Sequence, residues 1–426
     1  MFSNLSPLFL VSFQQHPGKQ MKQLSFLILS TFLFSCSEKD STLQAGMWRG
    51  VFFTQDEEIP FNFEISRNDS GFYVQMVNAA EKLDAGEVTF EGDSIIIPMG
   101  YFDASIKAKL SIEGLEGYFT KHFANNYFIP FKAEPENYRF AAGNTQTNVN
   151  FEGKWEVSFY DPDDDRYTPG VGIFNQDGSL LTGTFLTPTG DYRFLQGNVI
   201  NSALNLSTFD GEHLYLFKAS LKDSLLEGEY FSGLGGYKTW TAKRNPDAVM
   251  PGAEEITYLR EGYETITFSF PDMDGNMVSL SDEKYQNKVV VVQIFGTWCP
   301  NCMDETKFMA NWYEDNKDRG VEIIGLAYEN KDDFAYARAR INKMVEKLNV
   351  SYDFLFAGSR DNAKASATLP MLNKITAFPT TIFIDKSGKV RKIHAGFSGP
   401  GTGHYYIELV EEFNTTIDEL VSEEKQ

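Results

Sequence analysis

The sequence predicts a multidomain protein, with a duplicated antiparallel all-β region followed by an α/β domain. Three observations carry this. Four short patterns recur in one order between residues 46 and 244. From residue 263 onward, strand-like and helix-like runs alternate instead. Within that second part, the apolar run Val289-Val290-Val291-Val292-Gln293-Ile294-Phe295 leads into Trp298-Cys299-Pro300-Asn301-Cys302, and a stretch with helical spacing follows. The two cysteines therefore sit where a buried strand ends and a helix begins. Unpaired N–H groups at a helix start stabilise a thiolate, and the thiolate is the nucleophile. A C-x-x-C pair in a β–α pattern reads as a redox dithiol. Half of a zinc site is the rival reading. It lacks ligands, because the third cysteine, Cys36, belongs to the leader and His394 and His404 stand without metal spacing.

Composition narrows the classes. The 426 residues suffice for two or three domains. Hydrophobic residues make up 42% and aromatic residues 15%, enough for a large core, and 37 Phe with 20 Tyr favour β structure. A formal charge of −21 argues against nucleic acid as a partner, since phosphate binding needs basic surface. Three cysteines are too few for a disulfide-stapled scaffold.

The chain begins with an address. Residues 21–36 carry Lys22, a short apolar run and then a small residue, which is the layout of a secretory signal. The run is too short to span a membrane comfortably. Its ending, Leu33-Phe34-Ser35-Cys36, resembles a bacterial lipobox. That resemblance implies cleavage, lipidation of Cys36 and a membrane anchor; an ordinary secreted protein that discards Cys36 is the alternative. Residues 1–36 are thus leader and signal, with Met21 the expected start, and residues 37–45 a solvated tether. The compartment is the cell envelope outside the cytoplasm, in periplasm or outer membrane. There a dithiol can be oxidised and needs an upstream redox partner to work as a reductant.

Gly46-Met47-Trp48 recurs as Gly153-Lys154-Trp155, and Phe102-Asp103 as Phe209-Asp210. Leu115-Glu116-Gly117 matches Leu226-Glu227-Gly228, and Phe131-Lys132-Ala133 matches Trp240-Thr241-Ala242. Residues 46–135 and 152–244 are accordingly two repeats, expected as meanders of about five strands each. Alternation in Phe61-Asn62-Phe63-Glu64-Ile65 marks half-buried strands, whereas Ile95-Ile96-Ile97 reads as a strand buried on both faces. The G-x-W openings resemble lipocalin-type and avidin-type barrels over three residues per copy. A tryptophan closing the end of an all-β core is the preferred reading of them. The acidic run at residues 161–165 reads as a solvated turn rather than a calcium site, because nothing fixes six oxygens around an ion.

Residues 245–262 carry Pro, Gly and acids without periodicity and read as a linker. The second domain covers residues 263–420. Its expected strands lie at 265–270, 277–280, 289–295, 321–326, 380–385 and 390–393, with helices after Cys302, over 331–348 and over 405–420. Its elements add up to an α/β sandwich with a mixed sheet.

Phe270-Pro271-Asp272…Gly275, Trp298-Cys299-Pro300-Asn301-Cys302 with Glu305, and Phe378-Pro379-Thr380-Thr381…Ile384-Asp385…Gly388 together resemble the TlpA/ResA-like family of thioredoxin-fold thiol–disulfide oxidoreductases. The resemblance covers about residues 263–420. It implies that Cys299 is the exposed nucleophile and Cys302 the buried resolving thiol. It implies that Pro379 is a cis-proline opposite the dithiol, and that the backbone of Phe378 pairs with an extended substrate. Trp298, Pro300 and Thr380 complete the expected substrate contacts. Glu305 takes the place of an acid that exchanges protons with Cys302. Thioredoxin's own buried aspartate is here Gln293, which cannot titrate. The partners implied are protein thiols and disulfides, and the chemistry calls for no cofactor or metal. Two alternatives stay open: a thiol peroxidase of the peroxiredoxin-like branch, or a ligand- or partner-binding β region with an auxiliary redox domain.

Overall fold

A computed structural model describes residues 43–144, 146–250 and 255–424. The signal, Cys36 and most of the tether lie outside the described residues. The first β unit is a nine-stranded antiparallel sheet running from Gly46–Thr54 to Phe128–Glu134. The second runs from Gly153–Asp161 to Gly236–Arg244 and also has nine strands. In it, Arg166–Asp177 pairs with both Gly153–Asp161 and Leu180–Thr187. That double pairing closes the second sheet into a barrel, with only the two-residue strand Gly190–Asp191 left outside the ring.

Nine strands per unit replace the five expected. The reason is turn chemistry. Gln55-Asp56, Asn201-Ser202 and Asp223-Ser224 are two-residue hairpin loops in which both residues have positive φ, although none contains glycine. A reading that waits for Asn-Gly or Asp-Gly joins the flanking strands into one. Ile95-Ile96-Ile97 also differs from expectation: Ile95 and Ile97 are buried, but Ile96 is half-exposed, as in a strand with one wet face.

The duplicated tryptophans close their cores in the same way. Trp48 Nε1 donates to the Gln44 carbonyl at 3.0 Å, and Trp155 Nε1 to the Phe151 carbonyl at 2.8 Å. Inside the barrel, Trp155, Phe159, Phe174, Phe185, Phe217 and Trp240 pack against one another. The barrel interior is thus a filled core. Between the units, buried Lys121 and Glu212 pair at 2.6 Å. Arg139, on the connecting segment, donates to the Val77 carbonyl at 2.6 Å on one side and to the Ser207 carbonyl at 2.8 Å on the other.

The third unit is a five-stranded mixed sheet in the order Asp353–Ser359, Val321–Glu329, Val289–Phe295, Thr380–Ile384, Val390–Ala395. The first three strands are parallel; Thr380–Ile384 runs antiparallel to them, and Val390–Ala395, antiparallel to Thr380–Ile384, returns to their direction. All seven residues of Val289–Phe295 are buried, which accounts for its unbroken apolar pattern. The helices are α1 (Pro300–Asn316), α2 (Phe334–Leu348), α3 (Asn362–Thr368) and α4 (His404–Ser422). Helix α2 starts later than periodicity suggested because the Asp333 side chain caps it through Tyr336 N. Strand Asp353–Ser359 and helix α3 were not foreseen. Of the expected strand at 265–270 only Ser269 and Phe270 pair, within the strand Ser269–Pro271 against Met277–Ser279, although Ile266 and Phe268 are buried. Nor is the expected linker free along its length. Ala248 is buried against Val171 and Leu186, and Tyr258 N donates to Asn373 Oδ1 at 3.0 Å. Among the described residues, no helix is long and apolar enough to cross a membrane.

Candidate active site at the dithiol

The central strand delivers the chain to a tight turn. At Gly296 a Cβ would lie 2.1 Å from Trp298 Nε1 and 2.6 Å from the Tyr328 carbonyl, so only glycine fits. Thr297 then donates twice to the buried Glu329 carboxylate, from N at 2.9 Å and from Oγ1 at 2.8 Å. Trp298 Nε1 donates to the Tyr328 carbonyl at 2.8 Å. With the turn held, Cys299 becomes the N-cap of α1, and its Sγ accepts from Cys302 N at 3.1 Å. Pro300 occupies the first helical position, where its missing N–H costs nothing.

Cys299 and Cys302 are joined as a disulfide, with Cα atoms 5.2 Å apart. Cys302 is wholly buried; Cys299, expected as the exposed thiol, is itself buried at 5% exposure, because it is bonded to Cys302 and packed against Phe378. The Cys299 sulfur lies 3.3 Å from the Phe378 carbonyl oxygen, and the Phe378–Pro379 peptide is cis. Phe378 and Trp298 meet edge to face, with ring centroids 5.4 Å apart, and both are half-buried.

Beneath the sulfurs lies a small polar network. Glu305 accepts from Thr381 Oγ1 at 2.7 Å and from Gln293 Nε2 at 2.8 Å. Gln293 Oε1 in turn accepts from Thr306 at 3.1 Å. Burial pushes the Glu305 carboxyl up to about 7, against the downward pull of its two hydrogen bonds. The glutamine is what keeps this network to a single titrating group.

A family model described as Redoxin matches residues 260–405. A thiol-disulfide oxidoreductase ResA of Bacillus subtilis (strain 168) is 28% identical over 170 residues, which is 40% of this chain and 85% of the relative. The ResA of Bacillus cereus (strain ZK / E33L) is 32% identical over 133 residues, 31% of this chain and 68% of the relative. The chain belongs to the ResA-type thiol–disulfide oxidoreductases. A solved thiol:disulfide interchange protein from Bacteroides sp. is 25% identical and covers 36% of this chain and 90% of its own, with a TM-score of 0.28.

In this ResA-type domain the structure brings Cys299, Cys302, Glu305, Trp298, Phe378 and Pro379 together. Two of the expected substrate contacts do not fit their surroundings. Thr380 is fully buried, and its Oγ1 turns inward to the Ala377 carbonyl at 2.9 Å. Pro300 is buried, and its carbonyl accepts from Arg193 Nη1 at 3.0 Å. Arg193 comes from the barrel, more than a hundred positions upstream, so no local pattern announces it. Its guanidinium also pairs with Asp304 in α1 and with Glu81 of the first β unit. Arg360 was missed too. It is exposed, and its guanidinium lies 4.9 Å from the Trp298 ring and 5.4 Å from the Phe123 ring. Both β units therefore touch the face that carries the dithiol.

Proposed function

We propose that this thiol–disulfide oxidoreductase acts outside the cytoplasm, tethered through Cys36, and reduces disulfides of other proteins. The observation that carries the redox step is the position of Cys299. It caps a helix, is bonded to a fully buried Cys302, and is reached past two half-buried aromatic rings. In the reduced protein, the Cys299 thiolate attacks one sulfur of a substrate disulfide. A mixed disulfide forms and the substrate's other sulfur leaves as a thiolate. Cys302 then gives its proton to the Glu305 carboxylate and attacks the Cys299 sulfur. The substrate departs with two thiols, and the protein holds the Cys299–Cys302 disulfide. An upstream dithiol protein returns the two electrons.

The test is reduction of insulin by the full chain, with a small dithiol as electron source. The expected result is turnover that requires Cys299. No exchange above the dithiol alone would sink the proposal. For the anchor, we expect Cys36→Ala to move the protein from the membrane fraction to the soluble envelope fraction. A variant that stays with the membrane would show that Cys36 is not the tether. A β region that captures ligands inside its barrel is disfavoured by the aromatic side chains filling that space.

A further inference from the structure

We propose that Arg193 of the barrel is a positioning residue for the dithiol, holding the Cys299–Cys302 turn and lending it a positive charge from outside the thioredoxin-like domain. This rests on the reading of Cys299 as the attacking thiolate.

The barrel reaches the dithiol with one short loop, residues 187–194, and grips it at several points. Asn301, between the two cysteines, donates from Nδ2 to the Asp191 carbonyl at 3.0 Å. Asp191 Oδ2 accepts from Gly399 N at 2.6 Å, in the loop before α4. Its other oxygen accepts from Arg193 N, which holds Arg193 at a φ of 57°. From there the guanidinium reaches the Pro300 carbonyl and both oxygens of Asp304. The fit is close: a Cβ on Gly190 would come within 2.5 Å of Asn301 Nδ2. A merely adhesive ion pair has no reason to select the carbonyl of the residue next to the nucleophile.

Charge gives the contact a chemical consequence. Arg193 is 4% exposed, so its field is weakly screened. The groups facing it are Asp304, Glu81, Asp191, Asp210 and Tyr101, with Lys307 also on α1 beside Asp304. Those facing the dithiol are Glu305 below it, with Glu329 and Arg360 beside the turn. Around Arg193 the acids outnumber the bases. Without Arg193, that acidic excess lies against the first turn of α1 and opposes thiolate formation at Cys299.

The experiment uses the reduced full chain. The pH dependence of alkylation by iodoacetamide gives the Cys299 thiolate titration, and equilibration with glutathione gives the dithiol–disulfide constant. With Arg193→Gln, the thiolate fraction below the midpoint falls about tenfold. Arg193→Lys, which keeps the charge, restores most of it. Asp304→Asn removes an anion and keeps the cation, so its titration moves the opposite way. General damage to the turn would move both variants together. If neither titration moves, or both move in one direction, the inference is overturned. Should Arg193→Gln fail to fold, Asp304→Asn decides alone: a downward shift supports the inference and no shift refutes it. An active Arg193→Gln protein with unchanged titration defeats only this inference, whereas a wild-type chain that reduces no disulfide defeats the functional reading beneath it.

Discussion

With Cys302 replaced by serine, the protein accumulates mixed disulfides through Cys299, while Cys299→Ser captures nothing. Both variants lose turnover with insulin by roughly a thousandfold or more, the scale expected when a covalent nucleophile or its partner is removed. The asymmetry follows from geometry. Cys302 is wholly buried within the first turn of α1, whereas Cys299 caps the helix, keeps 5% exposure and accepts a backbone N–H that steadies its thiolate. In Cys302→Ser, the first attack proceeds and nothing remains to break its product. Mass spectrometry of the trapped adducts identifies the cysteine used. Equal trapping by the two variants would refute the division of labour.

Glu305→Gln is expected to have the second-largest effect, and its sign depends on pH. Burial raises the Glu305 carboxyl from an ordinary 4.5 to about 7. Between those values, the folded protein holds a proton that the unfolded chain has released. The advantage of the neutral carboxyl is complete below the lower value and is lost as pH rises through the upper one. Glutamine imitates the neutral form at every pH. The oxidised variant and wild type should thus have equal stability near pH 4, and by pH 8 the variant should be more stable by roughly 2–3 kcal/mol. Glu81 and Asp191, also raised by burial, are present in both proteins and cancel. Urea midpoints at several pH values measure the difference, and a gap that does not change with pH would contradict the assignment. Catalysis should respond in the opposite sense. Glutamine cannot accept the Cys302 proton, so exchange at pH 8 falls by about tenfold to a hundredfold and loses its dependence on a group near 7.

Much of the catalytic domain was legible because its signals are local. An unbroken apolar run has few outcomes other than a strand covered on both faces, and Val289–Phe295 is one. Cysteines at i and i+3, at the start of a helix, share a face and can bridge. Gly46-Met47-Trp48 and Gly153-Lys154-Trp155 signalled the duplication because each indole performs the same local task. Strand number was not legible, since hairpin loops such as Asn201-Ser202 adopt positive φ without the glycine that marks them. Nor was the inward turn of Thr380, whose burial depends on the strands and helices packed around it.

The sequence by itself determined that a β duplication precedes an α/β domain with a redox dithiol at a strand–helix junction. Periodicity, cysteine spacing and turn residues act over a few positions, and one chain suffices to read them. Only the tertiary structure decided that the second repeat closes into a filled barrel, and that its Arg193 lies on the Pro300 carbonyl. Those outcomes bring together groups far apart in the chain, 107 positions in the case of Arg193 and Pro300. Long-range packing and the pairing of buried charge select such contacts, and neither leaves a periodic trace along the chain.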